Sequence, residues 1–180
     1  MPEVNLKGDF EPARLESKIF GPDGSLLESG LGSDFVIQNP ALWSPDTPSL
    51  YRLQVQMIDK SGSVVDTFED HFGFRWYEFK PHGPFFLNGE RLLLRGTHLH
   101  EDHAGFGSAM PDQQRIKDIR QIKELGANFI RLGHYPHDPV IYDEADRLGL
   151  ILWDEVPWNR GGVGGASWQK NTHHITRRMI

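Results

Sequence analysis

The chain has 180 residues, of which 38% are apolar and 24% charged, and its formal net charge is −6. That balance is ordinary for a globular protein, and without a lysine- or arginine-rich run no nucleic acid partner is predicted. No stretch approaches the ~20 apolar residues of a membrane span, so no membrane partner is predicted. The chain has no cysteine, which excludes disulfide and thiol chemistry. Residues 1–5 show no signal peptide, and the compartment, whether cytoplasmic, periplasmic or secreted, stays open.

Residues 13–79 have the pattern of β structure. Two stretches, residues 14–20 and 25–31, flank Gly21-Pro22-Asp23-Gly24, a turn in which proline fixes φ and glycine permits positive φ. Residues 51–57 alternate apolar and polar side chains, which is typical of a half-buried strand. Four to five such strands predict part of an immunoglobulin-like β-sandwich, a fold that usually has about seven.

Residues 80–84 contain two prolines and a glycine and are interpreted as a linker. The predicted domains are therefore residues 1–79, the partial sandwich, and residues 80–180. Directly after the linker, Asn88-Gly89 lies between apolar runs, and this pair indicates a hairpin because both residues tolerate positive φ.

Three short apolar runs in the second domain each end in polar residues and each precede a helical pattern. The runs cover residues 91–95, 128–132 and 150–153, and the helical patterns cover residues 113–125, 139–148 and 167–179. This repeat predicts the first three βα units of a TIM (β/α)8 barrel, whose eight units need about 250 residues. The chain is therefore expected to be a truncated part of a longer protein.

The polar residues after these runs are the candidates for a site, because the loops after the strands of such a barrel share the face that carries the chemistry. His98-Leu99-His100 would direct two imidazoles to one side of a strand. Substrate contact, structural hydrogen bonding and metal binding are all open for them, although a catalytic zinc site needs about three protein ligands. Arg131 can hold a carboxylate or stabilise the barrel, and His134 can bind a ligand or be structural.

The third run ends in two carboxyl groups, Asp154 and Glu155. Neighbouring residues of a strand point to opposite faces, so one of them is expected to face the site and the other the barrel wall. Trp158, which follows, is a candidate platform for a sugar ring, with loop packing as the alternative. The glycines of residues 161–165 lack the spacing of a phosphate-binding loop.

Five segments in register resemble the glycoside hydrolases of family 2, the group of β-galactosidases, β-glucuronidases and β-mannosidases. Residues 40–51 resemble the signature of the family's immunoglobulin-like domain, and residues 72–75 resemble its last strand. Residues 86–101 resemble the start of the family's barrel. Residues 128–136, with Arg131 and His134-Tyr135-Pro136, and the Asp154-Glu155 pair complete the series.

The resemblance implies retaining hydrolysis of terminal β-glycosides, with a β-galactoside as the first expectation and a carbohydrate as the partner. Such enzymes use two carboxyl groups about 5–5.5 Å apart. In the family both are glutamates, and the acid/base belongs to an Asn-Glu pair, which this chain lacks. Both are therefore expected beyond Ile180, no catalytic residue is assigned within the chain, and the chain alone is expected to be inactive.

The resemblance also implies roles for residues that are present. His100 and His134 would contact sugar hydroxyls, Arg131 would support the missing nucleophile, and Asp154 would order the floor of the site. The glutamate that binds a divalent ion in β-galactosidase-like members is replaced by Asn159 here, so no metal and no cofactor are predicted. The oligomeric state of the complete enzyme stays open.

Two other functions remain open at this stage. A metal-dependent amidohydrolase-type barrel would explain His98-Leu99-His100, but it needs further histidine ligands on later strands and leaves residues 40–51 unexplained. A carbohydrate-binding remnant without catalysis would bind sugar as the chain stands.

Overall fold

The computed structural model describes residues 14–31, 34–158 and 161–179. The chain divides into two compact units, Met1–Trp76 and Tyr77–Ile180. Among the helices of the described residues, none combines the length and the apolar character that crossing a membrane requires.

The first unit is built on a four-stranded antiparallel sheet with the order β2-β1-β3-β4. Its strands are β1 (Arg14–Phe20), β2 (Leu26–Leu31), β3 (Tyr51–Ile58) and β4 (Val64–Phe72). The predicted turn between β1 and β2 is confirmed, and Gly24 has a φ of 80° there. The turn between β3 and β4 is held by Asp59, whose Oδ1 accepts the backbone N–H groups of Ser61 and Ser63 at 2.8 and 2.9 Å.

Residues 39–49, which contain three prolines and precede β3, are anchored by aromatic residues. Trp43 is 1% exposed, and its backbone N–H donates to the carbonyl of Phe74 at 2.9 Å. The Tyr51 hydroxyl accepts the N–H of Ala41 at 2.7 Å, and the Tyr51 ring lies 5.7 Å from that of Phe72 and 5.1 Å from that of Phe74. The segment is therefore an ordered connection without helix.

Several apolar side chains of this sheet are exposed. The described residues of the unit form a single sheet, whereas a sandwich packs two sheets face to face. Apolar side chains on β2 and β4 are open to solvent, namely Leu26, Leu27, Leu31, Val64, Val65 and Phe68.

The second unit begins with an antiparallel sheet of three short strands, β5 (Tyr77–Phe79), β6 (Phe85–Leu87) and β7 (Glu90–Arg91). The hairpin predicted at Asn88-Gly89 is confirmed, with φ values of 54° and 85°. The linker prediction is wrong, because residues 80–84 form the turn between β5 and β6. Tyr77–Phe79 was expected to end the sandwich, but its rings pack within the second unit, where Phe79 lies 5.2 Å from Phe85.

A three-stranded parallel sheet follows, with the order β10-β9-β8. The strands are β8 (Gly96–Leu99), β9 (Phe129–Leu132) and β10 (Ile151–Trp153), and the helices that alternate with them are α1 (Asp112–Glu124), α2 (Pro139–Leu148) and α3 (Ala166–Met179). The described residues thus contain three βα units in succession.

The first of these strands lies later in the sequence than predicted. Residues 91–95 were expected to form it, but Arg91 ends the hairpin and the N–H of Leu92 donates to Phe85 at 3.0 Å. The parallel strand begins at Gly96, where a Cβ atom would overlap the carbonyl of Phe129 on the neighbouring strand. The missing side chain therefore permits the close approach of β8 and β9.

The helix ends agree with local chemistry. Asp138 caps α2 by accepting the N–H of Val140 at 3.1 Å, Pro139 occupies the first turn, and Gly149 ends the helix with a φ of 72°. The helix predicted over residues 113–125 begins one residue earlier, because Pro111 holds the cap position and Asp112 is the first helical residue of α1.

The core of the second unit lies between β9 and the first two helices. The strand alternates in burial, with Ile130 and Leu132 fully buried. They pack in a cluster with side chains of α1, α2 and the start of β10, namely Ile119, Ile122, Ile141, Ala145 and Leu150. Because side chains of a strand alternate between faces, Arg131 points away from this core, toward the other side of the sheet.

Candidate functional site

Polar side chains meet at the carboxyl ends of the three parallel strands. His98 and His100 come from the end of β8, Arg131 and His134 from the end of β9, and Glu155 from the residues after β10. Parallel strands end at one edge of a sheet, so residues far apart in the sequence become neighbours. The predicted grouping of these strand ends is confirmed within the second unit.

Three imidazole rings pack against one another. The His98 ring lies 4.7 Å from that of His100 and 5.4 Å from that of His134, and the last two are 5.3 Å apart. Gly133 makes this packing possible, because a Cβ atom there would overlap the His98 ring.

Arg131, His134 and Glu155 form an ion-pair network. The Glu155 carboxylate lies 2.6 Å from Arg131 Nη2 through one oxygen and 2.6 Å from His134 Nδ1 through the other. The hydrogen bond from His134, followed by those from the Arg131 guanidinium, holds the pKa of Glu155 below its ordinary value. Glu155 is therefore ionised, and the sequence alone did not single it out over Asp154.

Asp154 is held by Tyr142, a residue of α2. The Tyr142 hydroxyl donates to Asp154 Oδ2 at 2.7 Å and accepts the backbone N–H of His137 at 3.1 Å. Burial, together with the hydrogen bond to Asp154, raises the pKa of Tyr142, so the hydroxyl keeps its proton. Tyr142 was not predicted, and no local sequence signal identifies it because its partners come from other elements.

A cleft of about 560 Å³ opens beside this network. Trp158 is 47% exposed there, and its Nε1–H donates to the carbonyl of Gly162 at 3.0 Å. Four of the five predicted site residues line the cleft, namely Arg131, His134, Asp154 and Trp158. Three further residues complete its lining, namely Trp153, Glu155 and Val156. The fifth, His100, packs against His134. Asn159 lies outside the described residues.

Glu101 links the loop after β8 to both helices. Its Oε1 accepts Arg115 Nε–H at 2.5 Å and its Oε2 accepts the N–H of Asp138 at 3.0 Å. Arg115 also donates to the carbonyl of Met110. The Glu101 and Arg115 side chains are each 10% exposed, so this is a buried structural clamp that fixes the loop after β8, directly behind His100.

The three imidazoles also have the composition of a metal site. Their nitrogen atoms, one from each of His98, His100 and His134, lie within 4.8 Å of one another. However, Arg131 Nη1 lies 2.8 Å from His98 Nδ1, and a guanidinium only donates hydrogen bonds, so that lone pair is engaged. A metal ion at this cluster would have to bind His98 through its other ring nitrogen.

Comparison with known families matches both parts of the chain. Residues 80–177 match the description "Glycosyl hydrolases family 2, TIM barrel domain", and residues 5–75 match "Glycosyl hydrolases family 2". In the chain, the part that matches the family 2 barrel domain thus follows a part that matches another domain of the same family. The chain belongs to glycoside hydrolase family 2, and the predicted family is confirmed.

Relatives of two activities are similar to this chain. A putative β-glucuronidase of Formosa agariphila is 53% identical over 144 residues, which are 80% of this chain and 17% of that protein. A β-galactosidase of Thermoanaerobacter pseudethanolicus is 36% identical over 80% of this chain and 19% of its own length. The solved apo structure of Bacteroides uniformis β-glucuronidase 3 has a TM-score of 0.83 at 44% identity, covering 93% of this chain and 22% of the other. The chain therefore spans about a fifth of the length of these relatives.

Proposed function

We propose that this chain is the sugar-holding part of a retaining β-glycosidase that removes a terminal sugar from its substrate. The observation that carries the proposal is the convergence of Arg131, His134 and Glu155 with two further imidazoles at the strand ends of a family 2 domain. The first substrate class we propose is a β-glucuronide, supported by the similarity to β-glucuronidases. A β-galactoside, the expectation from the sequence, is the second candidate, supported by the similarity to a β-galactosidase.

In the proposed architecture, the first domain is part of an immunoglobulin-like sandwich, and the three βα units are the first three of a TIM barrel. The exposed apolar side chains of β2 and β4 and the parallel arrangement of β8, β9 and β10 support this reading. The proposed boundary lies near residues 76–80, since the two compact units divide after Trp76.

Neither carboxyl group of the site is suited to cleave a glycosidic bond. Asp154 is bound by Tyr142, and Glu155 is shared by Arg131 and His134. Retaining hydrolysis needs an acid that can protonate the leaving oxygen and a nucleophile that can reach the anomeric carbon. We therefore propose that both catalytic glutamates come from sequence after Ile180 in the complete enzyme, and that residues 1–180 alone do not hydrolyse glycosides.

The residues that are present would hold the sugar. His134 and His100 would bind hydroxyl groups, and Arg131 would keep a nearby nucleophilic carboxylate ionised through its positive charge. Trp158, with its exposed ring in the cleft, would stack on an apolar sugar face, and Trp153, which is 55% exposed, would widen this platform.

The test is hydrolysis of 4-nitrophenyl β-glucuronide, β-galactoside and β-mannoside by the complete enzyme, with the anomeric configuration of the first product followed by NMR. We expect retention, a preference for the glucuronide, and a large loss of kcat/KM in His134→Ala. The matched control is His173→Ala, which removes an exposed histidine of α3. Inversion of configuration, or no activity on any β-glycoside, would contradict the proposal, and turnover by residues 1–180 alone would contradict the placement of the glutamates.

A further inference from the structure

The proton positions on His98 and His134 follow from their neighbours. Arg131 Nη1 lies 2.8 Å from His98 Nδ1. Because a guanidinium has donors only, His98 Nδ1 must accept, and the proton of the neutral ring is on Nε2. Burial, followed by the positive charge of Arg131, lowers the pKa of His98, in agreement with a neutral ring.

His134 has the opposite arrangement. Its Nδ1 lies 2.6 Å from an oxygen of the ionised Glu155 and 3.2 Å from Arg131 Nη2. A carboxylate accepts only, so a lone pair on Nδ1 would be repelled at the shorter distance. Nδ1 therefore carries a proton that it donates to Glu155. In the neutral ring, Nε2 keeps its lone pair.

We propose that Arg131 and Glu155 impose opposite tautomers on His98 and His134, so that the pair presents one N–H donor and one acceptor nitrogen to the hydroxyl groups of a pyranose. This makes His98 a specificity-determining residue. The inference rests on the proposed function, because it names the groups by which the same site reads its sugar.

The chemistry matches a sugar hydroxyl better than other groups of similar size. A hydroxyl both donates and accepts a hydrogen bond, so it can satisfy His98 and His134 at once, or two neighbouring hydroxyls can each satisfy one ring. A deoxy or methylated position would leave at least one ring nitrogen without a partner. Loss of such a hydrogen bond weakens binding of the sugar.

The fixed geometry supports the pairing. Gly133 lets the His98 ring lie against the backbone directly before His134, and Glu101 clamps the loop that follows β8, the strand of His98, to α1 and α2. The donor and the acceptor are thus positioned before a ligand arrives, which reduces the entropy lost on binding.

The first experiment assigns the tautomers in the 180-residue chain by long-range ¹H–¹⁵N correlation of the imidazoles. We expect the Nε2–H form for His98 and the Nδ1–H form for His134. Glu155→Gln should weaken the preference at His134 and leave His173 of α3 unchanged. The same tautomer at His98 and His134 would overturn the proposal.

The second experiment measures kcat/KM of the complete enzyme on the preferred 4-nitrophenyl glycoside and on its monodeoxy analogues. We expect His98→Phe to lower kcat/KM by about 10-fold on the parent sugar and to have little further effect on the analogue lacking the hydroxyl that His98 binds. His98→Gln, which keeps an N–H donor, should restore part of the loss, and His173→Phe should change nothing.

An equal loss on every deoxy analogue would overturn the role of His98, even if the enzyme is a β-glycosidase. An enzyme inactive on all β-glycosides would instead contradict the proposed function, and the tautomer spectra would then still decide whether the two rings differ.

Discussion

Glu155 accepts a hydrogen bond from His134 at 2.6 Å, across an interval of 21 residues. Its second oxygen pairs with Arg131 at the same distance, so one carboxylate holds both the guanidinium and the imidazole. Glu155 and Asp154 are adjacent carboxyl groups, and only their contacts distinguish them. These contacts identify Glu155 as the residue that holds Arg131 and His134 together.

Gly133→Ala should disturb the site more than the fold. The added methyl group would overlap the His98 ring, and displacement of a site residue by about 1 Å can cost about 100-fold in rate. We expect a fall of this order in kcat/KM of the complete enzyme. Gly165→Ala is the control, since nothing lies within 4 Å of a Cβ at that position. Equal kinetics for the two variants would refute the close packing of His98 on Gly133.

Tyr142→Phe should destabilise the second unit. It removes the donor to Asp154 and the acceptor of the His137 N–H, and leaving such half-buried groups unpaired costs about 1–3 kcal/mol. Urea denaturation of the chain measures this loss. Tyr77→Phe, in an exposed position on β5, should change the free energy of unfolding by less than about 0.5 kcal/mol. If Tyr142→Phe leaves the free energy of unfolding unchanged, water must replace both hydrogen bonds.

Arg115→Met should be strongly destabilising. It leaves the Glu101 carboxylate, 10% exposed, without its cationic partner, and breaking a buried pair in this way costs about 3–5 kcal/mol. Arg14→Met provides the contrast, because the Arg14–Glu16 pair has side chains 47% and 33% exposed and should contribute about 0–1 kcal/mol. Thermal unfolding of the two variants compares them, and similar Tm values would contradict the clamp.

Glu144 should give the chain a stability that depends on pH. Its hydrogen bond from Arg147, followed by that from Arg120, holds the pKa of Glu144 below the ordinary value of 4.5, against the opposing effect of burial. The stabilisation is therefore complete above the ordinary carboxyl pKa and is lost as the pH falls through the lower folded-state pKa.

The measurement for Glu144 is the free energy of unfolding of wild type and Glu144→Gln across this range. We expect a difference of about 1–2 kcal/mol near neutral pH that shrinks on acidification. Gln113→Ala, which replaces an exposed residue of α1 that does not titrate, is the control and should leave the pH dependence unchanged. A difference that stays constant down to acid pH would show that the ion pairs do not contribute.

Features encoded in short stretches of sequence were predicted well. Asn88-Gly89 forms its hairpin, the helical pattern of residues 139–148 forms α2, and the alternation in residues 51–57 marks β3. Each depends on the backbone preference or hydrogen bond of a few neighbouring residues. The same stretches, compared with a known family, were enough to indicate a family 2 hydrolase.

Features that depend on distant partners were not predictable in this way. Residues 91–95 have the composition of a strand, yet β8 begins at Gly96 because the hairpin takes Arg91 and Leu92. Residues 80–84 look like a linker, but the antiparallel pairing of β5 with β6, in which Tyr77 stacks on Phe85, makes them a turn.

By itself, the sequence determined the strand β3, the Asn88-Gly89 hairpin and the three helical segments, and that histidines, an arginine and carboxylates follow three apolar runs. Only the tertiary structure decided that Glu155 rather than Asp154 joins Arg131 and His134, that Glu101 is a clamp, and that Tyr142 supports the site. The physical reason is that local backbone preferences act between near neighbours, whereas the partner of a charged or polar side chain is chosen by the parallel packing of strands far apart in the chain.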